Sequence, residues 1–174
     1  NFDFKKLLIE KNKNFDDVKK YVEETSPELI NIIETYDDKM DLFERYHIED
    51  QIQKALDRKV WLPSGGHLII DPTEALTVID VNTGKFVGKN SLEETVYENN
   101  LEAAEEIAWQ LRLRDIGGII VIDFIDMESI KKQQSLLTKL KQELAKDKTR
   151  TQVFEVSRLG LVEMTRKNVA AGLI

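Results

Sequence analysis

Apolar positions in the first sixty residues come in short bursts between charges. Residues 4–9 read as a strand and 16–24 as a helix that Ser26-Pro27 breaks, since Pro disfavours helical geometry at the residue before it. A strand-like run over 29–36 and a helix over 48–59 follow. From Trp61 onward the pattern lengthens. Leu62-Pro63-Ser64-Gly65-Gly66 is a turn cluster, and strands at 68–71 and 76–82, interrupted by Pro72-Thr73-Glu74, predict a hairpin. Ser91 and Glu94 have capping-box spacing, so a helix starts there. Its buried face is Val96, Leu101, Ala104, Ala108 and Leu111, and Gly117-Gly118 stops it. The apolar run 119–125 predicts a strand buried on both faces. A helix over 129–146, with Ile130, Leu137, Leu140 and Leu144 on one stripe, and a strand over 152–156 complete the pattern. Alternating strands and helices predict an α/β fold, a layered sheet with flanking helices.

All eight Gly lie after residue 60, so composition divides the chain into 1–60 and 61–174. The first part carries no chemical motif and reads as an accessory, packing subdomain. The 174 residues suffice for a sizeable core. The longest apolar stretch, 119–122, is too short to cross a bilayer, so no membrane segment is expected in this chain. The absence of Cys excludes a disulfide framework and leaves only oxygen or imidazole ligands for a metal, with the cytoplasm as the expected compartment. Asn1 in place of an initiator Met points to a piece of a longer protein. The net charge of −7 argues against a generic nucleic-acid coat but not against a nuclease, which needs only local cations and metal-binding carboxylates.

The candidate chemistry sits at two strand ends. In the strand over 77–82, Val78, Asp80 and Asn82 share one face, and Asn82 is spaced to donate an amide N–H to Asp80 and orient it. The most apolar strand ends in Asp123, with Asp126 three residues on and facing the other way. Two Asp on adjacent strand ends repel unless a hard cation lies between them, and Mg²⁺ suits such carboxylates, with Mn²⁺ as an alternative. The competing reading is structural: a strand-terminal Asp closes a turn or caps the next helix, as Asp126 could before Ser129. Arg112 and Arg114 at a helix end suit either phosphate binding or the helix dipole, and Arg150 and Arg158 either phosphate or surface ion pairs. Gly84-Lys85 lacks the upstream glycine of a P-loop, and His47 and His67 are too isolated for a zinc site or a triad.

Several runs together resemble the catalytic region of the ribonuclease E/G family. They are Leu62-Pro63-Ser64-Gly65-Gly66, the segment 73–82, Asn100-Leu101-Glu102-Ala103-Ala104, the segment 110–127 and the segment 157–164. The resemblance covers 61–169 in order and is looser before that, best over 42–52. It implies part of an RNase H-like structural subdomain over 1–60 and a DNase I-like catalytic subdomain over 61–174. It also implies an endoribonuclease that cuts single-stranded, AU-rich RNA to 5′-phosphate and 3′-hydroxyl ends. The family's metal-binding aspartates fall on Asp80 and Asp123, its orienting asparagine on Asn82, and a basic position on Arg150. The family's OB-fold RNA-binding module and 5′-monophosphate pocket have no counterpart here. Its zinc-sharing cysteines are also missing, so no zinc is expected within this chain, and homo-oligomerisation stays open for the full-length protein.

The expected mechanism is phosphodiester hydrolysis supported by Mg²⁺ on Asp80 and Asp123. Two rivals stand beside it: a non-catalytic RNA-binding or assembly fragment, and a metal-dependent phosphohydrolase.

Overall fold

The computed structural model describes residues 5–12, 14–84 and 92–168, and these form two compact units, Asn1–Gln51 and Ile52–Ile174. The division falls inside a helix, ahead of the composition change at Trp61.

In the first unit, β1 (Leu7–Glu10) and β2 (Ile33–Tyr36) pair in parallel, in register from Leu7 opposite Ile33 to Glu10 opposite Tyr36. Between them run α1 (Phe15–Thr25) and a 3₁₀ turn, Pro27–Ile32. The expected strand over 29–36 is thus half right. Pro27 starts a tight turn in which the Leu29 amide bonds the Ser26 carbonyl at 2.9 Å, and only its last residues extend. A short helix that the pattern did not predict, α2 (Leu42–Arg45), is capped by Asp41, whose carboxylate accepts from the amides of Phe43 and Glu44. The next helix, α3 (Ile48–Leu56), ends before the expected limit at 59. Residues 59–61 leave it to pair as a strand, where the cross-strand partners of Val60 and Trp61 outweigh another helical turn.

The second unit is built on a mixed six-stranded sheet in the order β3-β4-β5-β6-β8-β7. Its strands are β3 (Lys59–Trp61), β4 (His67–Pro72), β5 (Leu76–Asn82), β6 (Gly118–Asp123), β7 (Thr151–Val156) and β8 (Val162–Arg166). The predicted hairpin is β4–β5, antiparallel. Parallel neighbours cannot be joined by a tight turn, and α4 (Leu92–Leu113) makes the crossover from β5 to β6. Ser91 of the expected capping box lies outside the described residues. At the far end, Asp115 takes a positive φ of 50° and the Ile116 amide returns to the Leu111 carbonyl at 2.9 Å, just ahead of Gly117-Gly118.

The core lies between one face of this sheet and two helices, α4 and α5 (Ile130–Leu144). Leu68, Ile70, Ile79, Ile120, Ile122 and Met164 come from the strands, and Ala103, Ala104, Ile107, Leu111, Leu136 and Leu140 from the helices. Each fully buried aliphatic side chain contributes about 1.5–3 kcal/mol. The small Ala103 and Ala104 let α4 approach closely.

Five expectations change here. Residues 119–125 are not buried on both faces: the strand ends at Asp123, and its burial alternates, with Ile120 and Ile122 inside and Ile119 52% exposed. Leu101 is only half-buried, and Ala103 and Ile107 take the centre of the α4 face. Ile130, the first residue of α5, is 69% exposed, and Leu136 fills the stripe beside Leu140 and Leu144. The helix is capped by Ser129, whose hydroxyl accepts from the Lys132 amide, so Asp126 is not its cap. Lastly β8, which the pattern did not predict, inserts between β6 and β7.

Candidate functional site

Residues Leu76 to Asp80 of β5 pair in parallel with Ile119 to Asp123 of β6, so Asp80 stands opposite Asp123. Register partners project to the same side, and adjacent strands lie about 4.8 Å apart. The alternation that buries Ile79 and Val81, Ile120 and Ile122, therefore sends both carboxylates out of the core face together. Both are exposed. Asn82 follows Asp80 on the same face, and its amide Nδ2 donates to Asp80 Oδ2 at 2.8 Å. The sequence puts Asp80 and Asn82 on one strand face and Asp123 at the end of another strand, and the register sets the two aspartates opposite each other.

The end of β6 is held from below. Asn100, fully buried in α4, donates through Nδ2 to the Ile125 carbonyl at 2.8 Å and accepts from the Ile125 amide through Oδ1 at 3.1 Å. That closed pair fixes the backbone just past Asp123. At the end of β5, the turn 62–66 is equally tight. A Cβ on Gly66 would fall 2.8 Å from the Asn82 carbonyl and 2.0 Å from Asn99 Oδ1, so only glycine fits beside the strand. Neither Asn100 nor Gly66 was singled out for the site. The signal available was a polar residue on an otherwise apolar helix face.

The same sheet face continues across β4 and β3. His67 stands opposite Asn82, and Trp61 opposite His67; two residues along, Lys59, Ile69, Asp80 and Asp123 form the next rung on this face. Burial lowers the His67 pKa, Lys59 lowers it further, and Asp80 opposes both. The imidazole is therefore biased toward its neutral form. On the other side, Glu163 of β8 pairs with Val121 and shares the exposed face. It sits diagonally from Asp123, at about 7–8 Å for such neighbours. Among the described residues no three acidic or His side chains come close enough to form a metal cluster. The pair Asp80–Asp123 is thus a two-carboxylate site open to solvent, a donor set that suits Mg²⁺ with its remaining positions filled by water and phosphate oxygens.

The four arginines fare differently. Arg114 is buried, donating to Gln110 Oε1 and to the Asp57 carbonyl, both at 2.7 Å. Burial draws its pKa down, with Asp57 and Glu106 acting the other way. Arg112 packs its guanidinium over the Trp109 ring, 4.7 Å from the centroid, on the helix layer rather than the carboxylate face. Arg150 precedes β7 at the Gly118 end of the sheet, since Thr151 pairs with Arg166 and Arg166 with Gly118. Five strand residues, about 16 Å, separate that end from Asp123. Arg158 is exposed in the turn between β7 and β8, beside Val162, which pairs with Ile122. Of the four, it alone lies at the carboxylate end of the sheet. That turn is organised by Ser157, whose hydroxyl accepts from the amides of Leu159 and Leu161, and by Gly160 at φ +84°.

A basic residue that the sequence reading passed over, Arg166, is almost fully buried. It bridges Asp115 at 2.9 Å and Asp147 at 3.0 Å and donates to the Ile116 carbonyl at 3.0 Å. This knot ties the α4–β6 loop to the segment after α5.

Comparison with known proteins adds the lineage. The sequence model of the Ribonuclease E/G family matches residues 1–169. Ribonuclease G of Escherichia coli (strain K12) is 45% identical over 162 residues, 93% of this chain and 33% of that protein. Ribonuclease G of Haemophilus influenzae is 46% identical over 168 residues, 97% of this chain and 34% of the relative. Ribonuclease E of Escherichia coli (strain K12) is 46% identical over 147 residues, 84% of this chain and 14% of the relative. The chain thus spans about a third or less of the length of these curated relatives.

Proposed function

The chain belongs to the ribonuclease E/G family, and we propose that its second unit carries a Mg²⁺-dependent centre for hydrolytic cutting inside single-stranded, AU-rich RNA. The products carry 5′-phosphate and 3′-hydroxyl ends, and the setting is RNA processing and decay in the cytoplasm. The observation that supports this reading most directly is the register of Asp80 against Asp123, with Asn82 bonded to Asp80 at 2.8 Å.

Asp80 and Asp123 would hold the cation. Their carboxylates are close enough to repel, and both stay in water, where they remain available to a ligand. Asn82 occupies one oxygen of Asp80, fixes its orientation and leaves the other oxygen for the ion. When bound, Mg²⁺ neutralises charge on the scissile phosphate and promotes ionisation of water as the nucleophile. In-line attack by water expels the 3′ oxygen, so the RNA 2′-hydroxyl is not consumed and no cyclic phosphate forms. Arg158, at the same end of the sheet, is the candidate among the four arginines for a phosphate contact.

The open position of the pair favours a polymer. Small phosphoesters are held in concave, largely enclosed sites, whereas Asp80 and Asp123 lie exposed on a sheet face along which a strand of RNA can run.

The test is incubation of the chain and its Asp123→Asn variant with a 5′-monophosphorylated, AU-rich single-stranded RNA, in Mg²⁺ and in EDTA, followed by mapping of the ends. Internal cuts with 5′-phosphates, absent in EDTA and in the variant, are expected. RNA recovered intact from the unaltered chain in Mg²⁺ would replace this reading with that of an RNA-binding fragment.

A further inference from the structure

Exposed tryptophan on a sheet needs a reason, because its large apolar surface is normally covered. Trp61 is 65% exposed on the short edge strand β3. It is not an isolated surface residue. Its ring lies 5.4 Å from that of His67, tilted by 54°, and Lys59 Nζ sits 3.9 Å from its centroid. Register places the trio on the carboxylate face: Trp61–His67–Asn82 form one rung, and Lys59–Ile69–Asp80–Asp123 the next. Two strand spacings, about 10 Å, separate Trp61 from the strand carrying Asp80 and Asn82.

We propose that Trp61, backed by His67 and flanked by Lys59, is a stacking platform for an unpaired RNA base on a nucleotide neighbouring the one cut at Asp80 and Asp123. The proposal rests on the RNA reading above and supplies what that reading lacks: a grip on a base rather than on phosphate. The chemistry of the trio fits a single strand. Aromatic faces accept any unstacked base, and single-strand binders pair such faces with cations that follow the backbone. The imidazole of His67 extends the ring surface toward Asn82. Lys59 holds its ammonium on a flexible four-carbon stem, so it can leave the indole for a phosphate when a base arrives. Its charge stands at the opposite end of the rung from the two carboxylates, where a phosphate is not repelled by them. A duplex presents no free base face, so the platform selects unpaired RNA.

The experiment uses the chain carrying Asp123→Asn, to keep RNA intact, and Trp109→Phe, which leaves Trp61 as the sole tryptophan. Indole fluorescence is followed during titration with a single-stranded RNA oligonucleotide and with its duplex, in Mg²⁺, and affinities of all variants are read from the anisotropy of a dye on the RNA. The single strand should quench Trp61 and the duplex should not. Trp61→Ala should bind the single strand roughly 5- to 150-fold more weakly, the range expected for loss of one stacked base. Trp61→Phe should keep most of the affinity, and both variants should melt near the parent. Unchanged fluorescence, equal quenching by duplex, or unaltered affinity of Trp61→Ala would overturn the platform. None of these outcomes touches the catalytic reading, which stands or falls on Mg²⁺-dependent cutting by the chain with Asp123 intact. Conversely, quenching and Trp61-dependent binding without any cutting would retain the platform and remove the catalytic centre.

Discussion

Asn100 and Ile125 exchange two hydrogen bonds, side chain to backbone, across the layer between α4 and the end of β6. A helix residue thereby fixes the chain two positions beyond Asp123. Asn100→Ala would leave the Ile125 N–H and C=O unpaired in a half-buried setting, at about 1–3 kcal/mol for each orphaned group. Chemical denaturation should show that loss, and RNA cutting should fall with it although Asn100 touches no substrate. Parent-like stability in Asn100→Ala would mean that water replaces the amide.

Mg²⁺ should report on the carboxylate pair without any RNA. If Asp80 and Asp123 share the ion, its binding stabilises the folded chain by mass action. Thermal melting of the parent should then rise with Mg²⁺ concentration. Asp80→Asn and Asp123→Asn should melt at least as high as the parent in EDTA, because one like-charge contact is gone, and should not respond to Mg²⁺. An equal response in all three proteins would place the ion elsewhere.

Asn82→Ala removes the hydrogen bond to Asp80 but neither carboxylate. The expected effect is a reduction of roughly 10- to 100-fold in Mg²⁺ affinity or cutting rate. The melting temperature should hardly move, since Asn82 is only half-buried. A Mg²⁺ titration of the cleavage rate separates weakened metal binding from a slower step at saturation.

The buried arginine supports the fold rather than the chemistry. Arg166→Met leaves Asp147 and Asp115 without their guanidinium contact, and breaking such a pair from one side costs about 3–5 kcal/mol. Arg112→Met, whose guanidinium rests on an exposed Trp109, should lie within about 0.5 kcal/mol of the parent. Urea unfolding of the two variants side by side checks the contrast.

Acid should loosen the same knot. Burial acts to raise the Asp147 pKa, but the Thr149 amide and Arg166 outweigh it and hold the carboxyl below its ordinary 3.8. A depressed folded pKa contributes stability that is complete above the unfolded value and disappears as pH falls through the folded one. Melting temperature should therefore decline below about pH 4. Asp147→Asn should start lower and decline less over that range. A parallel decline in both would assign the acid sensitivity to other carboxylates.

Much of the site was legible because it depends on short-range geometry. Strand side chains alternate, so Asp80 and Asn82 had to share a face and could meet at hydrogen-bond distance, as they do. The turn at 62–66, the hairpin and the two long helices followed from local chemistry in the same way. Where local signals competed, the reading slipped. Residues 29–32 are apolar enough for a strand, but Pro27 sets a 3₁₀ turn. Residues 57–59 continue a helical charge pattern, but residues 59–61 find strand partners six to ten residues further on.

What the amino-acid order alone determined, then, was which residues alternate, cap and turn, and that Asp80 and Asp123 lie late in apolar strands. Only the tertiary structure decided that those strands are parallel neighbours with Asp80 opposite Asp123, because register is set by the α4 crossover and by the core packing of Ile79 against its neighbours. It also decided which cations stand near the pair. Arg114 and Arg166 are spent on buried contacts, Arg150 lies at the far end of the sheet, and Arg158 lies at the near one. Charge is a property of the residue, but its distance from another charge is a property of the fold.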